Sequence, residues 1–149
     1  MKKNNKFKTF YERFISLKGE PKTIAVGMAI GVFIGATPTI PFHTLMVVVL
    51  CIIFRQNIAS AFLGSWIISN PVSIPFLYVA EYRLGRYLLK SDYFQIVFTD
   101  YSVWNVVKIG WNVALPLLTG GIIIASFFAV LAYFITYRLV LAVRRNRER

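Results

Sequence analysis

The chain has 149 residues, 57% of them hydrophobic and 16% aromatic, and a formal net charge of +11. That length allows one domain, and the composition is too apolar for an ordinary water-soluble one. With one cysteine and one histidine it can form no intrachain disulfide and no cysteine-rich zinc site, so no metal or cofactor is expected.

Lys2, Lys3, Lys6, Lys8, Arg13, Lys18 and Lys22 precede the first long apolar stretch, and Arg138, Arg144, Arg145, Arg147 and Arg149 follow the last. Such flanking clusters are what the positive-inside rule and anionic lipid headgroups produce. The expected partners of the basic ends are therefore membrane lipids, not nucleic acid, and both termini are placed in the cytoplasm. The apolar stretches at 23–54, 58–80 and 109–137 place most of the chain in a bilayer. The polar leader extends through Lys22 with no small-residue cleavage site behind a short apolar core, so the N-terminus is expected to be retained.

Residues 1–21 form a basic segment in which Phe7, Phe10, Phe14 and Leu17 recur at helical spacing, an amphipathic helix suited to the membrane interface. Gly19-Glu20-Pro21 breaks it, with Pro21 suited to a first helical turn. The single transmembrane domain then covers 22–137, with repeat one at 22–54, repeat two at 58–89 and a final span at 116–137; a basic cytoplasmic tail follows at 138–149.

Repeat one opens with Gly27, Gly31 and Gly35 at intervals of four, a face of bare backbone for close helix packing. Its break is Thr37-Pro38-Thr39-Ile40-Pro41, with Thr39 as the expected cap of a helix restarting at Pro41. The restarted half ends at Arg55-Gln56-Asn57, which should reach an interface. Within it Cys51 reads as a small buried apolar residue.

Repeat two has the same grammar. The pattern Gly-x-[Phe/Trp]-Ile-x-x-[Thr/Asn]-Pro, followed by Ile-Pro-Phe, begins at Gly31 and again at Gly64. Its break is Asn70-Pro71-Val72-Ser73, Ser73 standing where Thr39 stood and Pro75 opening the next helix to about Leu89. Lipid tolerates non-helical backbone only where protein or a water-filled cavity satisfies its peptide groups. A duplicated interruption therefore points to a binding site between broken or re-entrant helices.

Ser91 to Tyr101, with Asp92 and Asp100, is the candidate exposed loop, and 102–112 reads as an interfacial helix carrying Trp104 and Trp111. Gly120, Gly121, Ala125, Ala129 and Ala132 give the final span a small-residue side. With both ends cytoplasmic the crossings are even in number. One arrangement combines a re-entrant hairpin, a broken spanning helix and the final span; the other makes both repeats re-entrant and splits 103–137 at Thr119-Gly120-Gly121.

The run Gly31-Val-Phe-Ile-Gly, Pro38, Pro41-Phe-His43-Thr, then Arg55-Gln-Asn57, then Ser69-Asn70-Pro71, Pro75 and Tyr82-Arg-Leu-Gly85 resembles the DUF2062 family of small bacterial membrane proteins, over roughly residues 20–140. The resemblance implies a multi-pass protein of the bacterial cytoplasmic (inner) membrane. In that family the domain occurs alone or beside glycosyltransferase-like domains, whose activity is not carried over here.

The candidate substrate site comprises Thr37, Pro38, Thr39, Pro41, His43, Asn70, Pro71, Ser73 and Pro75. Half-helices starting at Pro41 and Pro75 would aim free amides at an anion, and His43 could carry a proton or touch that anion. Glu81 with Arg83, Arg86 or Arg55 is the candidate intramembrane ion pair or charged pathway. Gly27, Gly31, Gly35 and Gly64 are assigned to helix packing. No paired carboxylates or nucleophile-histidine-acid set appears, so no enzyme is expected. The expectation is an all-α integral membrane protein, two helix-break-helix repeats plus a C-terminal transmembrane helix and the N-terminal interfacial one. It would act as a homo-oligomer in transport or translocation of a small anionic or phosphate-bearing substrate, lipid-linked ones included. The alternative is a non-transporting scaffold for a cytoplasmic partner such as a glycosyltransferase.

Overall fold

The computed structural model describes residues 19–38, 42–89 and 103–147, with side chains in the last segment described over 110–145. The predicted helix at 6–18, Thr39, Pro41 and the Asp92–Asp100 loop lie outside the described residues. Among the described residues every element is an α-helix: α1 (Pro21–Ala36), α2 (His43–Ile53), α3 (Ile58–Ile68), α4 (Ser73–Leu89) and α5 (Val103–Arg147).

Local chemistry sets the boundaries. Pro21 occupies the first turn of α1, where its missing amide costs nothing. The helix ends at Thr37, whose extended backbone (φ −80°, ψ 137°) is the conformation a following proline imposes. Between α2 and α3 the chain reverses within Arg55-Gln56-Asn57. Arg55 is left-handed at φ 53°, the Gln56 amide donates back to the Cys51 carbonyl at 2.8 Å, and the Asn57 side chain accepts from the Ser60 amide at 2.9 Å. A helix stop and a helix start thus share one turn.

The glycine face predicted for α1 packs against α3, inside the same chain. A Cβ at Gly31 would land on the Ala61 carbonyl oxygen, one at Gly27 would meet Asn57 and Ser60, and one at Gly35 would lie 2.9 Å from the Ser65 carbonyl oxygen. Gly64 reciprocates, 2.5 Å from the Met28 carbonyl oxygen. The matched order of these contacts makes α1 and α3 parallel, with α2 returning between them. Two small apolar clusters flank the seam: Ile24, Met28 and Val140, and Ile34, Val47, Cys51 and Ala61. Cys51 is buried, as its apolar setting suggested.

Helices α3 and α4 are bent by 81° at the second break. Helix α5 runs for 45 residues without interruption, ~68 Å at 1.5 Å per residue. The interfacial helix and final span expected separately are one element, and the proposed split at Thr119-Gly120-Gly121 is not found. The reason is local: Thr119 donates back to the Leu115 carbonyl at 2.8 Å, and the glycines serve a contact with α4. A Cβ at Gly120 would land on the Glu81 carbonyl oxygen, and one at Gly85 on that of Pro116. The basic segment after Tyr137 also continues as helix through Arg147.

Helix α5 is antiparallel to α1: Gly121 meets Pro38 at one end, and Arg144 donates to the Gly19 carbonyl at the other. The Asn57 amide reaches the Thr23 carbonyl at 3.4 Å, so Lys22, Arg55 and Arg144 gather at one end of the molecule. One helix, Gly110–Arg145, is long and apolar enough to cross a membrane, and the bent pair α3 and α4 qualifies if counted as a single broken span. Only 22% of the most apolar window of α5 is buried. Large side chains stand outward along it and elsewhere, among them Trp66, Phe127, Val130 and Phe134.

Candidate functional site

The ends of α1 and α3, which lead into the two breaks, come together with the first turn of α2. The Ser69 hydroxyl, at the start of break two, donates to the Gly35 carbonyl, in the last turn before break one, at 2.9 Å. Across the same region His43 Nε2 lies 2.8 Å from Ser65 Oγ, tying the first turn of α2 to α3. Thr37, Pro38, His43 and Asn70 are thereby placed in one neighbourhood. Ser65 and Ser69 were missing from the sequence-level set; their spacing of four, one residue before Asn70-Pro71, was the available signal.

Most polar side chains at the breaks serve the backbone. Thr37 Oγ1 donates to the Phe33 carbonyl at 2.8 Å. Asn70 Nδ2 donates to the Ile67 carbonyl at 3.0 Å, while Oδ1 accepts from the amides of Val72 (3.1 Å) and Ser73 (3.0 Å). The Ile74 amide returns to the Asn70 carbonyl at 3.1 Å. Asn70 therefore caps the Pro71-Val72 turn that leads into α4, which begins at Ser73. The expected restart at Pro75 with Ser73 as cap is corrected: the helix starts earlier, and Ser73 Oγ donates to the Ile68 carbonyl at 3.0 Å. The α4 amides predicted to face an anion already have a partner in Asn70. Helix α2 starts after Phe42 with no side-chain cap among the described residues, beside His43; Thr39, its expected cap, lies outside them. Losing the Asn70 cap has a measurable effect: Asn70→Ala should lower stability by ~1 kcal/mol in detergent unfolding, with Asn70→Asp retaining most of it.

Glu81 is the outlier. It is 0% exposed, and among the described residues neither carboxyl oxygen has a hydrogen-bond partner. The ion pair expected with Arg83, Arg86 or Arg55 is not formed. Arg83 is exposed and two residues on, about 200° around the helix from Glu81. Arg86 lies over the Tyr82 ring, 5.9 Å from its centroid, and Arg55 belongs to the opposite end. The carboxyl points at the first break instead: a Cβ on Gly121 would be 3.4 Å from Glu81 Oε2 and 3.0 Å from Pro38 Cδ. Break one, α4 and the middle of α5 thus meet at a buried acid.

A groove of about 840 Å3 begins at Asn70, Val72 and Ser73 and continues between α4 and α5 past Phe76, Leu84 and Phe127. Its walls are almost wholly apolar. A second apolar cavity of about 540 Å3 lies between α1, α3 and α5, lined by Met28, Val32, Ile67 and Leu131 among others. No group of three or more His, Cys, Asp or Glu able to hold a metal exists among the described residues.

A family model described as an uncharacterized protein conserved in bacteria (DUF2062) matches residues 4–149. The chain belongs to the DUF2062 family. The match extends beyond the 20–140 resemblance seen in the motifs, so the basic ends of this DUF2062 chain are part of the family pattern. Comparison with curated proteins and with solved structures gave no match.

Proposed function

We propose that this DUF2062 protein sits in the bacterial cytoplasmic membrane and moves a small anionic or phosphate-bearing substrate, lipid-linked ones included, past the junction of its two helix breaks. The observation that carries the reading is the convergence itself: Ser69 on Gly35 and His43 on Ser65, beside a buried carboxyl on α4. Paired interruptions in related segments are where transporters place their sites. An anionic group would sit at the start of α2 next to His43, where the helix dipole favours negative charge. The apolar groove leading from Asn70 suits the hydrocarbon part of a lipid-linked substrate.

The membrane setting is supported by the outward apolar side chains and the gathering of Lys22, Arg55 and Arg144 at one end, which becomes the cytoplasmic side under the positive-inside rule. Helices α1 and α2 then form a re-entrant hairpin, α3 and α4 a broken span, and α5 the full span. The two break-containing segments act as repeats, and the exposed face of α2, with Leu45, Met46, Ile52 and Ile53 outward, supplies a surface for a homo-oligomer.

The experiment is flux from proteoliposomes loaded in turn with labelled polyprenyl phosphate, phospholipid and simple anions. Flux of at least one over empty liposomes is expected; none, with folded protein, sinks the proposal. A second reading is favoured by one observation: Thr37, Asn70 and Ser73 all bond to backbone, as in breaks that only shape the chain. In it the protein anchors a glycosyltransferase-type enzyme. A stoichiometric enzyme recovered on pull-down, with function indifferent to Asn70→Ala, would select that reading.

A further inference from the structure

Glu81 stands out among the groups that helix packing leaves unexplained. An unpaired carboxylate removed from water costs several kcal/mol, and burial without a partner is tolerated mainly by the neutral acid. Among the described residues the surroundings offer no compensation. Helix α5 presents Gly120 and Gly121 to it and break one presents Pro38, none of which is charged or titratable. On its own helix the titratable neighbour facing it is Tyr78, one turn earlier, while Arg83 is exposed and Arg86 lies over Tyr82. His43 is engaged with Ser65. A metal ion would need further ligands, and no such cluster exists among the described residues.

The acid is also held there by design of the backbone. Gly85 and Gly120 let α4 and α5 touch main chain to main chain at Glu81 and one turn beyond it, so that a side chain at either glycine would push the helices apart. A carboxyl of no use would be replaced at no cost by an apolar residue of similar size, often with a gain in stability.

We propose that Glu81 is a proton-binding site, the carboxylic acid that takes up and releases one proton at the first helix break. Release transfers the proton to water and leaves the electron pair of the O–H bond on the carboxylate; it requires the Pro38–Gly121 contact to open. Binding closes the contact over the neutral acid. The role of that proton in coupling rests on the transport reading above, whereas the proton site itself rests only on the surroundings of Glu81.

Infrared difference spectroscopy of the full-length protein in liposomes, wild type minus Glu81→Gln, tests it. The expected result is a protonated-carboxyl carbonyl band at acidic pH that converts reversibly to carboxylate bands as pH rises. A carboxylate signal at every pH overturns the proposal, and so does a protonated band that never titrates. Should Glu81→Gln fail to fold, dicyclohexylcarbodiimide on the unaltered chain gives the same information, because it modifies carboxyls in their acid form. Modification of the Glu81 peptide should fall about tenfold per pH unit above the midpoint; a peptide unmodified at all pH values contradicts the site. Titration without flux of any tested substrate would end the transport reading and leave the proton site standing. Flux with no titration at Glu81 would do the reverse.

Discussion

Gly31→Ala should destabilise the protein by about 3 kcal/mol or more, although alanine is the better helix former by about 1 kcal/mol. The added methyl would land on the carbonyl oxygen of Ala61, a backbone atom that no rotamer change can move aside. Helices α1 and α3 would have to separate, opening the seam along Gly27, Gly35 and Gly64 as well. Gly120→Ala tests the other seam by the same logic, since its methyl would land on the Glu81 carbonyl oxygen. Gly110 is the control: a Cβ there meets nothing within 4 Å, so Gly110→Ala should be neutral or stabilising by up to ~1 kcal/mol. Unfolding in detergent micelles, followed by helical circular dichroism, ranks the three. Equal losses for Gly31→Ala and Gly110→Ala would mean that the close approach of α1 and α3 is wrong.

Val130→Arg should remove the protein from the membrane fraction. Val130 is 55% exposed and lies near the middle of the candidate span Gly110–Arg145, where, in a bilayer, an arginine costs roughly 2.5 to 3.5 kcal/mol against insertion. On a water-soluble protein the same change, at a site with more than half its surface open, would fall within about 0.5 kcal/mol of neutral. The outcomes are thus opposite in kind. Resistance of the protein to extraction from membranes by alkaline carbonate is the measurement, with Arg145→Ala, at the basic end, expected to leave it unchanged. Wild-type protein washed off completely would reject the embedded setting.

These two experiments probe features of different legibility. The small-residue seam could be read from Gly27, Gly31 and Gly35 because a spacing of four puts bare backbone on one face. Its partner could not: that Ala61 receives Gly31 depends on the turn at Arg55-Gln56-Asn57. The second break was correctly located, but aligning Ser73 with Thr39 drew the helix start toward Pro75. The Asn70-Pro71 pair, a capping side chain followed by a turn proline, carried the better signal. Pro116 and the two glycines after it looked like places to divide the C-terminal region, and instead α5 passes straight through them, because they are where α4 lies against it. Glu81 and Arg83 do not pair, since residues two apart on a helix face away from each other. A buried, unpartnered acid is a property of packing and becomes visible only when α4, α5 and break one are brought together.

Substrate that passes the junction of the breaks must pass His43, which opens α2 and reaches Ser65. Wild type and His43→Ala, purified to equal folded yield, should be compared for efflux of whichever labelled polyprenyl phosphate, phospholipid or simple anion the wild type carries. Measurable wild-type flux that His43→Ala abolishes is the expected result. No wild-type flux with any of them, or flux undiminished in His43→Ala, would contradict it.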